Sequence, residues 1–216
     1  MENIKIKVFA KVNLGLDIVG IYDDGYHNLN MLMASVDIFD IVEAHKSDES
    51  VVFMDGVCAE KTNTASKALR LLEENFGIKM SVDISKGIPM NAGLGGSSAD
   101  ASAVFWCASQ LFGVALKDFE NLALMVGCDT PYMLYGGAAV VKGRGEIVEP
   151  CDNIGKMHLL VAQKKYGVST AEVYKNYDKN PVRGASIDAL INDIGGNKFF
   201  NVLQNSAIEL CPSIAE

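Results

Sequence analysis

An α+β fold with a strand-rich N-terminal part is what the order of patterns predicts. Three observations carry that expectation. Strand-like and helix-like segments mix without strict alternation. Period-two runs dominate the opening of the chain. A glycine-rich stretch then joins a strand pattern to a strong helix pattern.

Ile4, Ile6 and Val8 alternate with Lys5 and Lys7, as in a half-buried strand, and Val12 to Val19 continues in the same style. Asp23-Asp24-Gly25 is a turn signal, and Met31 to Val42 is a further strand region before the polar stretch Ser47 to Ser50. Thr64 to Phe76 reads as an amphipathic helix, with Ala65, Ala68, Leu69, Leu72 and Phe76 at helical spacing and Gly77 as its stop. Met80 to Ile84 is a strand that leads into Gly87-Ile88-Pro89. Ser97 or Ser98 can cap a helix from Ala99 to Phe112 ended by Gly113, and Asp118 starts another, Phe119 to Val126, ended by Gly127. Leu134 to Val141 and Met157 to Ala162 read as strands, and Ser186 to Glu216 holds two weaker helical patterns. A boundary near Pro150 to Gly155 divides residues 1–153 from 154–216.

The 216 residues, 49% hydrophobic and 21% charged, can bury a sizeable core. A net charge of -8 argues against a general affinity for nucleic acid, which needs clustered Lys and Arg, so any phosphate is held locally. The five cysteines, Cys58, Cys107, Cys128, Cys151 and Cys211, have no metal-ligand spacing and read as reduced cytosolic thiols. The N-terminus is interrupted by Lys5, Lys7 and Lys11, unlike a signal peptide. The longest uncharged stretch, Ala101 to Leu116, is too short and polar to span a bilayer. The expectation is a cytoplasmic protein without membrane or nucleic-acid partners.

The chemistry is concentrated in Pro89-Met90-Asn91-Ala92-Gly93-Leu94-Gly95-Gly96-Ser97-Ser98-Ala99-Asp100, between a strand and a helix start. Glycines lacking Cβ let backbone N–H groups approach an anion, and the helix N-terminus adds unsatisfied donors and a positive dipole end. Two glycines alone would make an ordinary capped connection. Gly93, Gly95 and Gly96 with two serines before a strong helix favour phosphate binding, and Ser97 and Ser98 offer hydroxyls to the phosphates or to Mg²⁺. No Gly-Lys is followed by Ser or Thr, so this is not a Walker loop, and Ser98 stands where a dinucleotide fingerprint needs its third glycine.

Pro89 to Ala99 closely resembles Pro-x-x-x-Gly-Leu-Gly-x-Ser-Ser-Ala, the ATP motif of the galactokinase, homoserine kinase and mevalonate kinase superfamily. Ala10-Lys11-Val12-Asn13-Leu14, Asp24-Gly25-Tyr26-His27 and Gly127-Cys128-Asp129-Thr130-Pro131 reinforce it, and together they resemble the branch acting on a cytidylyl methylerythritol. The resemblance implies a two-domain kinase fold, with an N-terminal nucleotide-binding domain and a C-terminal α/β sandwich, using ATP and Mg²⁺ on a small-molecule alcohol. It implies Lys11 and Asp129 as the catalytic pair and Asn13 beside them on the substrate. It implies nucleotide contacts from Pro89, Ala92, Gly93, Leu94, Gly95, Gly96, Ser97, Ser98 and Asp100, with Lys86 reaching the nucleotide from just before the loop. Tyr26 and His27 would stack on and hydrogen-bond the cytosine, with Tyr174 as the second aromatic of a sandwich and Thr170 in the same loop. The other histidines, His45 and His158, read as structural.

The superfamily closes with a third glycine-rich motif, and nothing after Tyr174 matches it, Gly195-Gly196-Asn197 being too early. The expectation is a C-terminal domain lacking part of its sheet and prone to self-association. A mevalonate or homoserine kinase is the rival enzyme, and a catalytically silent nucleotide-binding module the rival of another class.

Overall fold

The computed structural model describes residues 3–90, 92–163 and 167–215. The chain divides into two compact units, residues 1–12 with 35–137 and residues 13–34 with 138–216. Strands β1 (Asn3–Ile21) and β2 (His27–Lys46) contribute residues to both. Residues 154–216, expected to stand as a separate part, belong to the second unit with 13–34 and 138–153.

In the first unit, β2 pairs antiparallel with β5 (Met80–Ser85) through Ile41 to Lys46. The other edge of β5 takes β3 (Val51–Met54) in parallel, and β3 turns into β4 (Val57–Cys58). The register puts Val42 and Ala44 of β2 and Met80, Val82 and Ile84 of β5 into the core. Helices α1 (Thr64–Phe76), α2 (Gly96–Phe112) and α3 (Glu120–Val126) supply the facing layer, with Leu69, Leu72, Phe105 and Phe119 among its buried side chains.

The bounds of α1 are those its pattern predicts. Asn63 accepts from the Ala65 N–H at 2.8 Å, and Gly77 takes the left-handed φ of 66° that a side chain would strain. The N-terminal alternation is also present, with Ile4, Ile6 and Val8 packed on the core and Lys5 and Lys7 outward.

Other expectations need correction. Helix α2 starts at Gly96 with Gly95 as its cap, so Ser97 and Ser98 lie within the first turn instead of capping it. Leu134 and Tyr135 close the short helix α4 (Thr130–Tyr135), and β6 (Ala138–Gly143) begins only after Gly136 and Gly137, both at positive φ, have reversed the chain.

In the second unit β6 pairs with β2 and with β7 (Ile147–Pro150), both antiparallel. Short β8 (Phe200–Asn201) lies parallel to Gly15 and Leu16 of β1. A Cβ at Gly15 would come within 2.7 Å of the ends of the Ile187 and Leu190 side chains, which would have to shift to admit it. Those leucine and isoleucine side chains belong to α6 (Ile187–Asn192), which follows α5 (Thr170–Tyr177) and precedes α7 (Gln204–Leu210). The run Met157 to Ala162 is not a strand, and Leu160 is 97% exposed. An apolar run becomes a strand only where another strand takes up its backbone hydrogen bonds, and no described strand pairs with this one. Among the described residues no helix is long and apolar enough to cross a membrane.

Candidate active site

The residues singled out for a nucleotide line one cavity. Lys86, Pro89, Ala92, Gly93, Leu94, Gly95, Gly96, Ser97, Ser98 and Asp100 enclose about 280 Å³, together with Met54, Asn63, Ile88 and Met90. Asn91 lies outside the described residues. Gly93 and Gly95 hold φ of 72° and 73°, so the loop's turns depend on glycine at both positions. At the head of α2 no side chain caps the first turn. Its leading N–H groups remain as donors at the positive end of a 17-residue helix, a ready anion site.

Lys11 reaches the loop from β1. Its backbone N–H donates to the Leu94 carbonyl at 2.9 Å, and its stem lies against Gly95, where a Cβ would meet Lys11 Cγ at 3.0 Å and Met133 Cε at 2.4 Å. The Lys11 side chain is only 8% exposed, and its Nζ lies 3.2 Å from Asp129 Oδ2. Asp129 precedes α4, but its carboxylate makes no capping bond and stays 30% exposed. The pair is therefore an ammonium group shielded by the loop facing a carboxylate open on one side. Ser98 and Thr130 border the same turn, since a Cβ on Gly127 would meet their hydroxyl oxygens at 3.7 and 3.4 Å. Thr130 Oγ1 is buried there without a hydrogen-bond partner.

Lys86 does not end free in the cavity. Its Nζ donates to Asp40 Oδ2 and to Asp100 Oδ2, both at 2.6 Å. The other Asp40 oxygen accepts the N–H of Gly87 at 2.6 Å and of Ile88 at 2.8 Å. Burial outweighs the attraction of Lys86 and pushes the Asp100 carboxyl up to about 7, with the neighbouring Asp40 adding to the rise. Asp40 is also desolvated, but the two backbone N–H groups and Lys86 together hold it below the usual carboxylate range. Lys86 is desolvated too, yet the two carboxylates raise it. The opposite behaviour of the two acids has one cause: a single ammonium group serves two buried carboxylates, and Asp40 has the additional donors.

In the second unit the expected cytosine residues meet one another. His27 Nε2 is 2.7 Å from Asp178 Oδ1, and the Tyr174 ring packs on His27 at 4.6 Å between centroids and 33° between planes. A base between two rings needs about 7 Å, twice a contact of ~3.5 Å. His27 thus covers one face of Tyr174, and a base can use that face only if the two rings part. Tyr26 is exposed, with the Arg144 guanidinium 4.8 Å from its ring and equally close to Tyr22. Arg144 is anchored to Asp24 at 2.6 Å. Thr170 is the exposed first residue of α5 and Tyr174 lies within that helix, where a loop was expected. Asn13 Oδ1 is buried without a hydrogen-bond partner.

Asp40, Asp178 and Arg144 escaped the reading of the sequence. Only Asp40 carries a local signal, as an acid on the buried face of a strand between Ile38 and Val42.

Comparison with known proteins gives this arrangement its family. Residues 63–137 match the GHMP kinases N terminal domain. A 4-diphosphocytidyl-2-C-methyl-D-erythritol kinase of Clostridium perfringens (strain 13 / Type A) is 35% identical over 95% of this chain and 77% of its own length. The chain belongs to the 4-diphosphocytidyl-2-C-methyl-D-erythritol kinase family. A member of that family from Clostridium kluyveri (strain NBRC 12016) is 38% identical over 93% of this chain and 74% of its own. The crystal structure of a 4-(cytidine 5'-diphospho)-2C-methyl-D-erythritol kinase superposes with a TM-score of 0.77 at 27% identity, covering 98% of this chain and 80% of that one. Mevalonate pyrophosphate decarboxylase from Streptococcus pyogenes, at 14% identity and a TM-score of 0.64, shares the fold.

Proposed function

We propose that this protein transfers the γ-phosphoryl group of ATP to the 2-hydroxyl of 4-diphosphocytidyl-2-C-methyl-D-erythritol. The observation that carries the reading is the Lys11–Asp129 pair at 3.2 Å, with Lys11 bonded through its backbone to the glycine loop. Phosphoryl transfer asks for positioning and charge neutralisation more than for covalent help. Asp129, exposed on one side, accepts the proton of the attacking hydroxyl. Lys11 favours the ionised form of that carboxylate and offsets charge on the phosphoryl group in flight.

The loop N–H groups and the head of α2 hold the phosphates of ATP. Tyr26, His27, Thr170 and Tyr174 bind the cytidylyl end, with Asn13 on the substrate. No group of three or more acidic, histidine or cysteine ligands suited to a metal occurs among the described residues. The hydroxyls of Ser97 and Ser98 in the cavity lining fit Mg²⁺ arriving with the nucleotide and held mainly by phosphate oxygens and water, which is how this ion usually binds. The Ser97 and Ser98 hydroxyls are the oxygens that would complete its shell, and the ion would neutralise phosphate charge. The reading places the reaction in the cytoplasm, a reducing compartment in which cysteines stay as thiols.

The test is ADP release with phosphorus NMR of the product, run with the cytidylyl substrate, mevalonate and homoserine in turn. Turnover confined to the cytidylyl substrate is expected. Turnover of mevalonate or homoserine alone would move the chain to another branch, and nucleotide binding without product would make it a silent module.

A further inference from the structure

The Asp40–Lys86–Asp100 group lies directly beneath the phosphate loop, and neither stability nor catalysis accounts for it. Asp40 is 0% exposed and Asp100 2%. A buried ion pair is weak evidence of stability, because desolvation offsets the attraction, and one cation shared by two buried acids leaves a net negative charge whenever both are ionised. Such a charge beside an anion site would repel the ligand, so a role for the group is to be sought in geometry.

The connections supply that purpose. Asp40 belongs to β2, and one of its oxygens accepts both N–H groups of Gly87 and Ile88, where the chain leaves β5 for the loop. The backbone is pressed against β2 here, since a Cβ on Gly87 would come within 2.3 Å of the Phe39 carbonyl oxygen. The other Asp40 oxygen holds Lys86, and Lys86 holds Asp100, which projects from the first turns of α2 where the loop ends. One chain of contacts therefore ties the entrance of the loop to its exit.

We propose that Asp40 and Asp100 are positioning residues for ATP, fixing the two ends of the glycine loop through Lys86, which serves as their tie and not as a phosphate contact. The inference rests on the reading that this loop holds ATP. Its consequence has a distinctive sign. If Lys86 touched phosphate, removing a neighbouring carboxylate would free the ammonium group and tighten ATP. If Lys86 is a tie, the same change loosens the loop and weakens ATP.

Asp40→Asn and Asp100→Asn preserve shape, and calorimetric titration with ATP measures each against the wild type, alongside KM for the cytidylyl substrate and thermal melting. Asp40→Asn is expected to weaken ATP about tenfold, the scale of one hydrogen bond to a charged group, and Asp100→Asn severalfold in the same direction. KM for the cytidylyl substrate should stay within twofold, a split that general loosening of the fold would not give. Unchanged or tighter ATP binding in a folded variant overturns the proposal while leaving the kinase reading intact. Should Asp40→Asn fail to fold, the sign of the Asp100→Asn effect decides. A wild-type chain that binds no ATP overturns the kinase reading and this inference with it.

Discussion

The backbone N–H of Lys11 donates to the carbonyl of Leu94 at 2.9 Å, joining a strand residue of the proposed catalytic pair to the centre of the glycine loop. Loop and ammonium group are thus held as one object, and a change in either is felt by the other.

Gly95→Ala tests that coupling. The residue holds φ of 73°, and a Cβ would meet Met133 Cε at 2.4 Å and Lys11 Cγ at 3.0 Å. Left-handed backbone alone costs about 1–2 kcal/mol for a residue with a side chain. The flexible methionine can swing aside, but Lys11 is confined between the loop and Asp129. We expect a small fall in Tm and a fall in kcat of at least tenfold, measured by thermal melting and steady-state kinetics. Normal kcat with a lowered Tm would show that the loop and Lys11 are independent.

Asp129→Asn removes the proposed proton acceptor and the partner of Lys11 without changing size. General-base assistance is worth roughly 10²–10⁴ in rate. We expect kcat to fall within that range with ATP affinity little changed, because Asp129 lies outside the cavity lined by the loop. Lys11→Ala should be comparably slow. A variant keeping most of its kcat would leave Asp129 as a turn residue at the start of α4.

What the sequence revealed and what it hid divide along physical lines. The glycine loop, the bounds of α1 and the alternation of Ile4, Ile6 and Val8 were legible because each is set by neighbours within a few positions. Lys11 and Asp129 were legible as motif members, but their 3.2 Å separation depends on packing across more than a hundred residues. Asp40 left a trace as an acid on a buried strand face, yet its partners are 46 to 48 residues away. The Met157 to Ala162 pattern misled because composition cannot supply a pairing strand.

Asp100 gives stability a pH dependence of unusual sign. Its carboxyl is raised from 3.8 to about 7, so the folded state favours the protonated form. That contribution is fully present below about pH 4 and is lost as pH rises through about 7, by an amount of order 4 kcal/mol at most. Asp40 acts oppositely, since its lowered pKa contributes stability that is lost on acidification. Asp100→Asn removes the first effect and, because Asp100 also helps to lower Asp40, alters the second only on acidification below about pH 4. The Tm of this variant minus that of the wild type should therefore increase from pH 5 to pH 8. A constant difference would show that Asp100 ionises normally in the folded protein.

The aromatic cluster of the second unit predicts a rearrangement on binding. His27 and Tyr174 stack at 4.6 Å, so a cytosine stacks on that face of Tyr174 only if the ring moves off the imidazole. Asp178, 2.7 Å from His27 Nε2, holds that nitrogen as the donor in the neutral ring and leaves Nδ1 as an acceptor. An acceptor is what the exocyclic amine of cytosine requires, whereas the carbonyl that replaces it in uracil would be refused. Stacking on one aromatic ring is worth roughly 1–3 kcal/mol per base. Tyr174→Ala should therefore raise KM for the cytidylyl substrate about tenfold while KM for ATP stays level. Asp178→Asn should narrow the preference for a cytidylyl over a uridylyl substrate, because His27 can then present either tautomer. If Tyr174→Ala leaves KM unchanged, the base stacks elsewhere. If Asp178→Asn leaves the cytidylyl preference intact, His27 does not read the amine.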